Sequence, residues 1–382
     1  MACYNGCGGH GRCTDANVCA CDASWKGYDC TESNGFMFIF SPSADMGLKR
    51  ARERHASSDP IYHSEYLFFE RAMRDGQLRT LDAHSAALSY VPTWIYYQVN
   101  NIAFATQAYQ SLTRHMSGSY ASEWKSTKPE QRVFFFSGDK GACGAPPGPL
   151  YISHWGLRVP WRHMSNPHDY KPGAYGNGNG PSPCADARHI VVPMVFRQGY
   201  AQLPAPAEPP YRCVLFFSGS ITRREGYSQG VRKLVWDATR NATEDMCVLR
   251  GHVSSEYFRR SKFCLAASGD GFGSRLFRAA FHGCVPVFIQ PSVTKPFEDL
   301  LPYDRFSLDV ATRDIPRLRD ILLAVSPERH REMRREWQRW RPALSWHDQA
   351  YEFTRYALCL RARTVRCDHL VPALLKSIGR AA

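Results

Sequence analysis

Residues 264–290, CLAASGDGFGSRLFRAAFHGCVPVFIQ, constrain the fold of this chain more than any other stretch. An apolar run ends in a loop with three glycines, a helix-forming segment follows, and a second apolar run is broken by Pro286. Strand, glycine turn, helix and strand in that order make the repeating unit of a parallel α/β sheet. The loop SGDGFG, Ser268 to Gly273, lets backbone amides crowd together without side-chain clash. A helix opening at Ser274 aims its free amides and the positive end of its dipole at that loop, and Arg275 adds a full charge. These residue types suit a phosphate. A tight structural turn is the plainer use of the same glycines. Asp270, in reach of a ligand hydroxyl, favours a site. So does a second strand–glycine turn, FFSGSITRREGYSQGVRK (216–233), with Arg223, Arg224 and Arg232 nearby. The spacing is neither a dinucleotide fingerprint nor a Walker loop.

The same alternation extends over most of the chain. Strands are expected at 36–40, within 85–97, from 132, at 150–157 and at 189–196, with helices over 60–76 and 99–116. A glycine- and proline-rich loop (166–184) interrupts this half, and the proline-rich segment 197–213 reads as a linker. Beyond it the pattern restarts: strands at 214–220, 247–251, 262–267 and 285–290, and helices near 226–240, 254–260, 274–283 and 314–325. Ser326-Pro327-Glu328 is a helix start, and the chain is then helical to its end. The expected division is therefore 36–205, 211–340 and a helical tail, 341–382, with a ligand cleft between the two α/β domains.

The 382 residues carry 48 lysines and arginines against 35 acids, a net charge of +13, which favours anionic partners. The basic residues are spread out, densest at 49–54 and 327–342; the second stretch interleaves acids and reads as a solvated helix face. No nucleic-acid motif is present, so nucleic acid is not expected as a partner. No apolar run is long enough to span a membrane, and no signal peptide is found.

Six of 14 cysteines fall within residues 1–33: Cys3, Cys7, Cys13, Cys19, Cys21 and Cys30. So short a segment buries too little to fold without crosslinks, and it lacks the paired C-x2-C spacing of a zinc site. Its spacing, with Gly27 and Tyr28, resembles an EGF-like module. That resemblance implies the pairs Cys3–Cys13, Cys7–Cys19 and Cys21–Cys30, an oxidising compartment, and a surface for protein contacts. The glycosylation sequon Asn241-Ala242-Thr243 agrees with such a compartment. Of the other cysteines, Cys264 and Cys284 read as buried small hydrophobes. Pairing of Cys359 with Cys367, and of Cys143 with Cys184, stays open.

The block YFRRSKFCLAASGDGFGSRLFRAAFHGCVPVFIQ, followed by PFEDLLPYDRFS, resembles the exostosin family of glycosyltransferases. RTLDAHSAALSYVP, VFFFSGDKGAC, HIVVP and DIPRLRDIL fall in the family's order, so the similarity covers roughly 36–345. Together with the EGF-like module it looks like the plant and algal branch. The resemblance implies two Rossmann-like domains facing a cleft (GT-B type), a UDP-sugar donor on the second domain, and a polysaccharide or glycoprotein acceptor on the first. It implies transfer with inversion and no essential metal or other cofactor. Ser268, Asp270, Gly271, Gly273, Ser274, Arg275 and Arg232 are the expected donor contacts, and Asp139 is the expected general base, with His154 and Glu65 as rivals. Family members carry an acid where Arg278 stands, so Asp270 or Glu298 must hold the ribose instead, or donor binding is weakened. Phe272, Tyr303 and Phe306 either stack on the ligand or belong to the core. The resemblance places the chain in the Golgi lumen. A start at Met1, two residues before Cys3, is then expected to reflect a truncated gene model that lost an anchor. The alternative is a catalytically inactive glycan-binding protein of the secretory pathway.

Overall fold

The computed structural model describes residues 3–22, 25–33, 35–41, 60–99, 105–158, 184–195, 210–222, 227–241, 244–251, 256–269, 271, 273–290 and 292–377. The N-terminal module consists of two small antiparallel pairs, β1 (Gly11–Cys13) with β2 (Cys19–Cys21) and β3 (Trp25–Lys26) with β4 (Glu32–Ser33). Disulfides join Cys3 to Cys13, Cys7 to Cys19 and Cys21 to Cys30. The module is seated on the main body. Trp25 stacks on His10 at 3.6 Å, its indole N–H donates to the Arg74 carbonyl, and Ser33 Oγ donates to the Arg79 carbonyl.

Two parallel sheets follow. The first contains β5 (Met37–Ile39), β6 (Arg79–Thr80), β7 (Leu88–Val91), β8 (Arg132–Phe136), β9 (Leu150–Ser153) and β10 (Ile190–Val191), in the spatial order β10-β9-β8-β7-β5-β6. The second contains β11 (Cys213–Gly219), β12 (Met246–Arg250), β13 (Ser261–Leu265), β14 (Val285–Phe288) and β15 (Leu308–Asp309), in the order β12-β11-β13-β14-β15. Every pairing in both is parallel. A parallel sheet is covered on both faces, which is why its strands read as unbroken apolar runs: Val133, Phe134, Phe135 and Phe136 are all buried. The α/β reading of the sequence is thus the architecture found. The two-residue edge strands β6 and β15 were not legible, being too short for any periodicity.

The halves are stitched together by main chain. Thr294 N–H donates to the Gly156 carbonyl, Arg158 N–H to that of Ser292, and Phe297 N–H to that of Val191, all at 2.8–2.9 Å. Gly156 has no room for a side chain, since a Cβ there would fall on the Thr294 carbonyl. One apolar cluster runs through both halves, from Met37, Phe68 and Tyr90 to Leu276, Phe277 and Phe288.

The last helices correct the expectation of a tail at 341–382. Ser326 caps the helix Pro327–Trp340 by accepting from Arg329 N–H, and its Met333, Trp337 and Trp340 are buried under pairs such as Arg329–Glu332 on the outer face. The helix Ala350–Ala362 then returns to the first sheet. There the Tyr351 hydroxyl and Arg355 both donate to Asp75 at 2.8 Å, and the Trp346 indole donates to the Pro193 carbonyl at 2.6 Å. Its buried face (Tyr351, Phe353, Ala357, Leu358) explains the return: an apolar stripe needs a partner, and the first half supplies it. Among the described residues no helix is long and apolar enough to cross a membrane.

The cysteines give a second correction. Cys264 and Cys284 are bonded to each other, because β13 and β14 are neighbours in the sheet, rather than lying as separate small side chains. Cys213 pairs with Cys247, Cys143 with Cys184 and Cys359 with Cys367, leaving no free thiol. Denatured without reductant, protein produced under oxidising conditions is expected to titrate no thiol. Recovery of two thiols mapping to Cys264 and Cys284 would restore the reading as separate residues.

Candidate functional site

In the second sheet β11 has β12 on one side and β13 on the other, so the chain reverses its direction of winding there. The crevice outside the carboxyl ends of such strands is where open α/β sheets take ligands. Both glycine turns open into it. Arg275, first residue of the helix Arg275–His282, reaches back to the end of β11, where its Nε donates to the Ser218 carbonyl at 2.9 Å and its Nη1 to Ser274 Oγ at 3.0 Å. Gly219 makes room for it, since a Cβ there would lie 2.5 Å from Arg275 Nη2. Arg232 arrives from the helix Val231–Thr239 and donates to the carbonyls of Ser220 and Ala267 and to the Tyr227 hydroxyl, at 2.8–3.2 Å.

Arg275 is thus held by uncharged groups, and among the described residues no carboxylate pairs with it. Burial, reinforced by the positive charges of Arg232 and Arg278, pushes its pKa down to about 10, which leaves it charged at neutral pH. Cations gathered at the first turn of the helix Arg275–His282 are the electrostatic complement of a diphosphate. The backbone around them is strained: Ser228 and Gln229 both take left-handed φ, 53° and 49°, and Ser228 N–H donates to the Gly269 carbonyl. Neighbouring outliers of this kind mark sites whose geometry the surroundings enforce.

Across the cleft stands Asp139, in the turn after β8. A Cβ on Gly271 would fall on the Asp139 carbonyl, so the glycine loop of one half lies directly against the candidate base of the other. The Tyr62 hydroxyl donates to Asp139 Oδ1 at 2.9 Å. A small pocket that Gly273 of the same loop borders is lined by His154, Trp155, Leu276, Gln290 and Lys295, among others.

The described residues among those expected have definite places. Ser268 is buried, and Gly273 leaves no space for a Cβ beside the Ala267 carbonyl. Asp270, Phe272, Arg223 and Arg224 lie outside the described residues, as do the 166–184 loop up to residue 183, the 49–54 basic stretch and Ala242-Thr243 of the sequon; Asn241 itself is exposed. Glu298 is not brought to the glycine loop: it pairs with Lys295 at 3.3 Å and lines a different cavity, because the turn after Pro296 faces β10. Tyr303 and Phe306 belong to the core, Tyr303 donating to the Pro296 carbonyl and Phe306 stacking on Trp337.

The rival bases are occupied elsewhere. His154 lines the cavity, but its Nε2 is 2.5 Å from Ser64 Oγ and burial pushes its pKa down to about 3. Glu65 is buried behind the site, where it accepts from Thr93 N–H, Trp94 N–H and the Tyr90 hydroxyl. Burial outweighs those bonds and raises its pKa to about 7. The Thr93 hydroxyl can donate both to the Phe135 carbonyl, at 2.5 Å, and to Glu65 Oε2, at 3.1 Å. Glu65 thereby ties the exits of β7 and β8 together. Neither that network nor Tyr62, Gly219 and Tyr227 carried a sequence signal, since each acts through a contact distant along the chain.

Comparison with known proteins agrees with this geometry. Residues 42–325 match the sequence profile of the exostosin GT47 domain. A probable glycosyltransferase of Arabidopsis thaliana is 26% identical over 321 residues, 80% of this chain and 58% of that protein. A probable glucuronosyltransferase of Oryza sativa subsp. japonica is 26% identical over 273 residues, 68% of this chain and 63% of that protein. A probable beta-1,4-xylosyltransferase of Arabidopsis thaliana, IRX10, is 31% identical over 155 residues, 38% of this chain and 37% of that protein. The chain therefore spans about three fifths of the first two relatives. Among solved structures, the GtfA/B complex aligns with a TM-score of 0.36 at 12% identity, covering 66% of this chain and 60% of that one.

The state of Glu65 fixes a pH dependence. With its folded pKa above the unfolded value of 4.5, its stabilising contribution is full below pH 4.5 and is lost as pH rises through about 7. Urea denaturation should show wild type losing on the order of 3 kcal/mol more than Glu65→Gln across that window. Parallel curves for the two proteins would mean that Glu65 is ionised in the fold.

Proposed function

We propose that this chain, which belongs to the exostosin GT47 family, transfers a sugar from a UDP-sugar to a glycan or glycoprotein acceptor, inverting the donor carbon. The contact of Gly271 with the Asp139 main chain carries the reading, because it brings the residue that bears the candidate base against the loop beside a cationic phosphate-type crevice. In the proposed step an acceptor hydroxyl oxygen bonds to the anomeric carbon while the bond from that carbon to the diphosphate oxygen breaks. Asp139 takes the hydroxyl proton, with the Tyr62 hydroxyl orienting its carboxylate. The electron pair leaves with UDP, whose new charge is met by Arg232, Arg275 and the amides from Gly271 to Ser274. Arg278, which adds its positive charge beside Arg275, completes the cluster.

The relatives' descriptions as glucuronosyl- and xylosyltransferases support transfer of a sugar. Guanidinium groups supply the charge a divalent ion would otherwise bring, so transfer is proposed to need no metal. Seven disulfides support work in an oxidising lumen, and family membership supports the Golgi. One observation favours a non-catalytic glycan-binding protein: Arg278 cannot accept a ribose hydroxyl. Turnover separates the two readings.

Calorimetric titration with UDP is the first test. Wild type should bind and Arg275→Ala should bind at least about tenfold more weakly, as for a lost charge-assisted hydrogen bond. Equal affinity would remove the diphosphate from the 268–275 loop. With a donor in hand, Asp139→Asn is expected to lower kcat by about 10²–10⁴-fold with KM little changed. An unaffected kcat would take the base role away from Asp139.

A further inference from the structure

We infer a second ligand site, a groove on the far side of the first sheet that takes an acidic polysaccharide chain. The open groove is walled by Leu88 and Gln131, at the amino ends of β7 and β8. In a parallel sheet those ends face away from the carboxyl ends that hold Asp139, so this space is not the cleft. Four cations line it, Lys128, Arg188, Arg361 and Arg363, against a single carboxylate, Glu130.

Two of the cations form a fixed floor. Arg188 donates to the carbonyls of Gly148 and Glu130, at 3.0 and 2.8 Å. Arg361 donates from Nε to the Arg188 carbonyl and from Nη2 to Asp299, at 2.9 and 2.7 Å. Since Arg188 is held by main-chain oxygens, its charge stays uncompensated. Lys128 and Arg363 are exposed, and among the described residues neither pairs with a carboxylate. Arg363 also takes a left-handed φ of 58° at the end of the helix Ala350–Ala362, a position that suits glycine. A long cation kept there against the backbone preference, at the rim of a basic groove, points to a use for its charge.

The shape and setting select the ligand. Planar guanidinium forks pair with carboxylates, and an open groove suits a polymer better than a small anion. The disulfides place the chain where acidic glycans are met and nucleic acid is not. Arg361 also lines an adjoining pocket that has Asp186, Glu298 and Asp299 in its wall, so the basic groove is a site of its own rather than one end of a uniformly cationic track to the cleft. The choice of a glycan as its occupant rests on the glycosyltransferase reading.

The test is binding of size-defined oligogalacturonides to the full chain, followed by calorimetry without any donor, and compared with their neutral methyl esters. The acidic oligomers should bind, the esters should not, and the exposed pair Lys128→Ser with Arg363→Ser should weaken binding by about tenfold or more. Binding unchanged in that double variant, or equal for the esters, would overturn the inference. So would single-stranded RNA or anionic vesicles binding as tightly with the same dependence on the two residues. UDP titrated into the wild-type protein reports on the cleft separately: its failure to bind would sink the donor-site reading and leave the groove standing.

Discussion

A half-buried guanidinium that meets no carboxylate among the described residues is the constraint on which the functional half of this protein depends. Taking an ion partly out of water is costly, and among the described residues Arg275 recovers the cost through neutral acceptors and the π-face of Phe217. The surroundings are built to permit this. Gly219 leaves space for the side chain, Tyr227 orients the neighbouring Arg232, and two strained residues press the 227–230 turn against the glycine loop. Such an arrangement is stabilised further by any anion that enters, which is how a binding site stores its selectivity before the ligand arrives.

The second dependence is mechanical. Three main-chain hydrogen bonds, a shared apolar cluster and the returning C-terminal helix hold the two sheets in one relation. The Gly271–Asp139 contact needs that relation, because it joins residues from opposite halves with no room for a methyl group. A displacement of about 1 Å between the sheets would separate a base from a reacting hydroxyl at a large cost in rate. Glu65 serves the same end locally. By bonding to the turn after β7, and through Thr93 to Phe135 near the end of β8, it fixes the edge from which Asp139 projects.

Much of the scaffold was legible in order. The apolar runs that became strands are unbroken because both sheet faces are covered, and Gly269, Gly271 and Gly273 announced a turn where backbone must come close. The Ser326 cap was likewise readable, since its partner Arg329 is three residues away. Glu298 shows where such reading stops: its neighbourhood in sequence gives its charge but not the direction its turn faces, and it lies with Lys295 in another cavity. Cys264 and Cys284 show the same limit, for their apolar surroundings were right and their bond to each other depended on strand order.

What the sequence by itself determined is whatever acts over a few residues: the strand and helix periods, the glycine turns, the helix cap and the crosslinked N-terminal module. Only the tertiary structure decided which half the last helix covers, that Asp139 meets Gly271, and that Arg232 and Arg275 share one crevice. The physical reason is separation along the chain. Periodicity and capping are encoded by neighbours, whereas a contact between residues 139 and 271, or between Asp75 and Arg355, exists only after the sheets have closed on each other. Chemistry at this site is of the second kind.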